Sequence, residues 1–201
     1  MRGRQVVTEH RSITETEKAV EAKLGGTDIE HGIKHDQMAA VANIYRAAAA
    51  VRQHFENSVL RGAELTWTSF VVLWVVWIWG EMETRHVAAE AGISKGTLTG
   101  VARTLQNRGL LERHTHPGDG RLALLRLTPE GERLMREVFP AFNAEEAFVT
   151  EGLTNRQCRT LADLLRGIVV HTERHGEERR TGLLDGAEPR PRRSGRRAAR
   201  D

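Results

Sequence analysis

The chain has 201 residues, 39% of them hydrophobic and 28% charged, a length that fits one domain with enough material for a sizeable core. The formal charge of +3 is unevenly spread: eight Arg against five acids fall between Gly176 and Asp201, so the rest of the chain is neutral and the excess sits in a C-terminal tail. One cysteine, Cys158, excludes an internal disulfide framework and fits a cytoplasmic protein, and the charged N-terminus lacks the apolar segment of a secretory signal.

Residues 1–33 read as a polar extension with one predicted helix, Thr14 to Leu24, opened by a Thr14/Glu17 capping box and closed by Gly25-Gly26. A long helix is predicted from about Lys34 to Leu60, with Met38, Val41, Ala42, Tyr45 and Phe55 mixing core and surface. All four Trp lie between Trp67 and Trp79, three of them inside the ten-residue apolar run Phe70 to Trp79, which is too short to span a bilayer, and no membrane partner is expected. By propensity this run could be a strand, whereas Trp67, Phe70, Val71 and Trp74 fit helical spacing from a start near Thr66. Thr84 is predicted to cap a short helix, Arg85 to Ala91, ended by Gly92.

The next stretch carries the chemistry. Ser94 is a good N-cap, and Leu98, Val101, Ala102 and Leu105 form one stripe at helical spacing. Opposite them lie Gly96, Gly100, Arg103 and Asn107, flanked by Thr97, Thr99 and Thr104, with no acidic residue. Two glycines inside a helix cost roughly 1 kcal/mol each against Ala, which close approach to bases or phosphates would explain; neutral surface drift is the alternative. Arg103 and Asn107 suit base edges, and the Thr side chains suit phosphates or thymine methyls. Gly109 stops the helix, and a strand from Leu110 leads into the turn His116-Pro117-Gly118-Asp119-Gly120-Arg121. In the returning strand, Leu122, Leu124 and Arg126 take one face and Ala123, Leu125 and Leu127 the other. Arg121 is the candidate DNA contact at the tip, with Asp119 holding and aiming it by a charge-assisted bond. Helix, Gly-containing turn, helix is a helix-turn-helix signature, and the hairpin that follows at once makes it a winged helix.

Beyond the hairpin, Thr128 and Pro129 start another helix that continues past Pro140, where a kink is predicted. The last helix opens with a Thr154/Gln157 capping box, and its apolar stripe of Cys158, Leu161, Leu164, Leu165, Ile168 and Val169 is wide for a lone surface helix. On that stripe Cys158 reads as a buried, inert thiol. The tail 176–201 is predicted to be disordered, either adding nonspecific DNA affinity or having no role.

From about Gln37 to His175 the chain resembles the MarR family of winged helix-turn-helix regulators. The resemblance is carried by VAAEAGISKGTLTGVARTLQNRGLLER, by PGDGR with Asp119 and Arg121 at the D-x-R positions, by RLTPEGERL, and by FNAEEAFVTEGLTNRQCRTLADLLRGIV. It implies a mainly α fold with a small β-hairpin wing: a DNA-binding lobe over about 66–128, the apolar run helical within it, and dimerisation helices over about 34–62 and 129–175. It further implies a homodimer on double-stranded DNA, with the positions of Ser94, Lys95, Thr97, Thr99 and Arg103 facing the major groove and that of Arg121 entering the minor groove. Gly96, Gly100 and His116 depart from the family pattern.

The reading from these residues is a sequence-specific regulator on a pseudo-palindromic operator, acting as a repressor released by a small aromatic effector. The alternatives are a nonspecific architectural DNA binder and a winged helix used for protein contact. An effector pocket is placed at Trp67, Trp74 and Trp77, whose other reading is core packing. Neither the His171/His175 pair nor His114 with His116 has a completing ligand, so no metal or other cofactor is expected, and no catalytic motif points to an enzyme.

Overall fold

The computed structural model describes residues 12–25 and 32–184. The chain divides into two compact units, 1–145 and 146–201. In order, the elements are α1 (Ile13–Leu24), α2 (His35–Asn57), α3 (Val59–Gly62), α4 (Trp67–Trp79), β1 (Met82–Glu83), α5 (Thr84–Glu90), α6 (Lys95–Asn107), β2 (Leu111–His116), β3 (Asp119–Leu127), α7 (Pro129–Val149) and α8 (Asn155–Leu183). The fold is mainly helical, with one antiparallel sheet in the order β1-β3-β2. No single described helix is long and apolar enough to cross a membrane.

In the first unit, three short-range assignments change. The capping box of α1 is Ser12 with Glu15, not Thr14 with Glu17. Glu17 instead accepts from Asn43 Nδ2 of α2 at 2.9 Å and pairs with Arg46 at 3.8 Å, so the helix starts where its other carboxylate is free to cap. The long helix ends at Asn57 rather than running through Leu60; the backbone breaks at Ser58, and Glu56 beside the break accepts the Trp67 N–H at the start of α4. Thr84 is not a cap but the first residue of α5, after Glu83, whose side chain makes no cap bond. Met82 and Glu83 form β1, paired with Leu125 and Leu124, and that pairing sets how the chain enters the helix.

Other predictions hold. Ser94 caps α6 through the Thr97 N–H, and α4 starts beside Thr66, which is its cap through the Ser69 N–H. Helix ends at Gly92 and Gly109 take the left-handed conformation, at φ 63° and 69°. Each is locked by paired bonds to the preceding turn, Ile93 N–H to Ala88 O at 2.9 Å and Leu110 N–H to Leu105 O at 3.0 Å being the outer ones. The turn after α3 has the same bonding, Leu65 N–H to Leu60 O at 2.9 Å, yet its left-handed position at φ 53° is Glu64.

The apolar run is helical, with Phe70, Val72, Leu73, Val75 and Val76 buried. Leu98, Ala102 and Leu105 of α6, Leu111 of β2, and Leu125 and Leu127 of β3 are also buried. An aromatic cluster joins Phe55 to Phe142 at 4.3 Å between ring centroids and Phe70 to Phe142 at 4.0 Å. The base of the hairpin is tied to α7 through Thr128, whose hydroxyl donates to Gly109 O at 2.6 Å and accepts from Gly131 N–H at 3.0 Å.

In the second unit the Thr154/Gln157 box is present. α8 runs to Leu183, which corrects the predicted tail boundary: residues 176–183 are helical, and 185–201 lie outside the described residues. Helical bonding absorbs Gly176, because the turns on both sides of it are regular. Cys158 is half-buried rather than buried. Leu161, Leu164, Leu165, Ile168 and Val169 are 38–64% exposed, so the apolar stripe of α8 faces outward in the single chain.

Candidate nucleic-acid interface

Local rules place α6. Ser94 Oγ accepts the Thr97 N–H at 3.0 Å, closing the first turn of α6, and Leu98, Ala102 and Leu105 pack that helix down. Lys95, Gly96, Thr97, Thr99, Gly100, Arg103 and Asn107 are left exposed. A Cβ added at Gly100 would meet nothing within 4 Å, and at Gly96 only Ser94 Oγ at 3.8 Å, so no internal packing demands either glycine.

The hydroxyls are less available than the sequence suggested. Thr99 Oγ1 donates to Lys95 O at 2.9 Å, and Thr97 Oγ1 lies 2.8 Å from Ser94 Oγ. With its donor spent on the helix backbone, Thr99 is left with its methyl group and an acceptor oxygen to offer outward, and no donor for a phosphate.

Between α6 and the wing lies a cleft of about 520 Å³, lined by Arg85, Lys95, Arg103, Arg113 and Arg121 among others. Glu83 is the one carboxylate on its wall, and it is held by Arg85 at 2.7 Å. Such a concentration of guanidinium and ammonium groups around one concavity is an electrostatic footprint for a polyanion. Of the predicted site residues, Lys95, Thr99, Arg103 and Arg121 line this cleft, while Ser94, Thr97, Gly100, Asn107 and Asp119 do not. Asp119 does hold the tip, though differently from expected: its Oδ1 accepts the backbone N–H of Arg121 at 2.9 Å, not the guanidinium. It fixes the turn from which Arg121 projects and does not engage the charged group.

Sequence reasoning missed Arg85 and Arg113. The second was within reach: strand alternation puts the exposed Arg113 on the sheet face of Leu111, and Arg113 sits opposite Leu125 in the sheet. It missed Arg108 as well, whose two guanidinium nitrogens donate to Glu64 O at 2.6 Å and Ala63 O at 3.0 Å and so tie the end of α6 to the turn before α4. On the outer face of the wing Glu112 is paired with Arg126 across the strands, and that guanidinium holds the Glu112 carboxyl below the usual carboxylate range.

The three Trp rings proposed for an effector are half-buried in aromatic contacts. Trp67 lies 5.9 Å from Phe55 between centroids, Trp74 stacks on Phe139 at 4.9 Å, and Trp77 lies 5.7 Å from Trp74. His171 and His175 are 4.9 Å apart between ring centroids, and no group of three metal-ligating side chains occurs among the described residues.

Residues 65–122 match the MarR family profile. Over 166 residues the chain is 30% identical to the HTH-type transcriptional regulator YwaE of Bacillus subtilis, itself uncharacterised, covering 82% of this chain and 96% of that one. Among solved structures, BpsR of Bordetella bronchiseptica, described for regulation of its DNA binding by 6-hydroxynicotinic acid, is 27% identical with a TM-score of 0.61, covering 65% of this chain and 98% of that one. A mutant of Escherichia coli MarR complexed with operator DNA shares the fold, at 20% identity and a TM-score of 0.61, covering 68% of this chain and 99% of that one.

Proposed function

The chain belongs to the MarR family of transcriptional regulators, and from that premise we propose that it binds a pseudo-palindromic operator as a homodimer and represses transcription until a small aromatic molecule releases it. The observation that carries the reading is the cationic cleft shared by α6 and the wing. Arg103 is positioned to read base edges in the major groove and Arg121 to enter the minor groove, while the Gly96 and Gly100 surface gives α6 a low profile toward bases and phosphates. Ser94, Lys95, Thr97, Thr99 and Asn107 complete the α6 contribution, and Asp119 holds the tip.

Self-association is supported by the apolar stripe of α8, since five large aliphatic residues in one band stay exposed among the described residues. Two reading helices related by a two-fold axis engage successive major grooves only when about 34 Å apart. An effector acts on this spacing by binding one arrangement of the lobes more tightly than the other. The indoles of Trp67, Trp74 and Trp77 are the site proposed for it, on the support of their half-buried rings and of the aromatic acid named for BpsR.

The test is selection of duplexes by the full chain from a random library, followed by footprinting at physiological salt. A defined pseudo-palindrome is the expected result. Arg103→Ala should relax specificity in the half-site core by about 1–3 kcal/mol, and Arg121→Ala should weaken binding at flanking A·T positions. Equal losses on random DNA would contradict both assignments.

A further inference from the structure

The wing tip is held by two side-chain acceptors. Asp119 Oδ1 takes the N–H of Arg121 at 2.9 Å, and His116 Nδ1 takes the N–H of Gly118 at 3.1 Å. Two of the tip's backbone donors are therefore consumed internally and are not available to an anion. The two caps differ in what remains. A carboxylate has only acceptors left, whereas a neutral imidazole that accepts at Nδ1 must carry its proton on Nε2.

The position of the ring is also built. The β2–β3 register shifts between Thr115 and His116, a local irregularity of the kind that re-aims a side chain. The ring lies over Gly118, with Cε1 3.4 Å from where a Cβ would stand. Among the described residues the ring makes no second hydrogen bond. A ring that accepts the Gly118 N–H at Nδ1 presents its own N–H at Nε2, on the tip that also carries Arg121.

We propose that His116, as its Nε2–H tautomer, donates to a DNA phosphate oxygen at the edge of the groove that Arg121 enters, with the Gly118 N–H holding the ring in that state. The inference rests on the DNA-binding reading above. The contact adds register and affinity without releasing a counterion, because the ring brings no charge.

Phosphate-ethylation interference tests it, using the full-length protein and duplexes of about 30 base pairs, roughly three turns, enriched by the wild type from a random library. In each half-site one phosphate whose ethylation blocks the wild type should become silent in His116→Asn. That variant keeps an acceptor for Gly118 but loses the distal N–H, so its thermal melt should match the wild type. Its operator affinity should fall roughly tenfold with an unchanged salt slope, as for a lost hydrogen bond to a charged group. Arg121→Ala should retain the His116-dependent phosphate. Identical interference patterns in wild type and His116→Asn would overturn the contact. A salt slope reduced by about one would mean a bound imidazolium and overturn the neutral donor. If the wild type enriches no duplex, the DNA-binding reading fails and this inference with it.

Discussion

Replacing Gly131 by Ala adds one methyl group where the structure has no room for it. Gly131 lies in the first turn of α7, and a Cβ built there stands 2.1 Å from Leu110 O, where real contacts of this kind stay beyond 3.0 Å. One backbone would have to retreat by about 0.9 Å. Neither side can do so freely. Leu110 is 4% exposed, its N–H is bonded to Leu105 O, and its carbonyl accepts the Thr128 N–H at 3.2 Å. A retreat of that size breaks the Thr128 bond, at about 1 kcal/mol, and adds overpacking of about 1–3 kcal/mol. Ala returns about 1 kcal/mol through its better helix propensity, leaving a net loss of roughly 2 kcal/mol. For a chain of this size that is a fall in melting temperature of about 4–8 °C. Differential scanning calorimetry on the full chain measures it, with Gly100→Ala as the reference because a methyl there meets nothing within 4 Å. A Gly131→Ala melting temperature equal to or above that of the wild type would refute the steric argument.

Gly100→Ala itself should raise stability by up to about 1 kcal/mol yet weaken operator binding, a split that thermal melts and gel shifts on the same preparation resolve. Glu64→Gly should raise the urea midpoint, since it relieves a left-handed residue worth about 1–2 kcal/mol, partly offset by the greater freedom of unfolded glycine. Leu164→Glu, placing a charge in the exposed stripe of α8, should shift the proposed dimer toward monomer in sedimentation and reduce operator affinity; a dimer unchanged by it would remove that stripe from the interface. Because Arg126 lowers the Glu112 pKa, the pair's contribution is present above the ordinary value of 4.5 and is lost as pH falls through the folded value. Glu112→Gln should therefore flatten the acid limb of the stability profile slightly, as befits an exposed pair, and leave neutral pH little changed.

Features that depend on neighbours a few residues apart were readable along the chain. Ser94 and Thr154 were legible as caps because a hydroxyl before an apolar-periodic run bonds N–H groups two or three residues on. Gly92 and Gly109 were legible as helix stops because the left-handed position costs glycine nothing. Alternation along β3 separated buried Leu125 and Leu127 from exposed Arg126, and the polar face of α6 was readable as its exposed side. Long-range packing made the choices that local chemistry leaves equivalent. Ser12 with Glu15 and Thr14 with Glu17 are the same capping pattern, and the second fails because α2 claims Glu17 through Asn43 and Arg46. Thr84 has a cap's chemistry but begins α5 after a two-residue strand whose only signal is its distant partner in β3. Arg113 and Arg85 join Lys95, Arg103 and Arg121 around one cleft because a sheet edge and two helix ends converge there. Charge in a sequence is only a sum, and where it gathers depends on which backbones pack together.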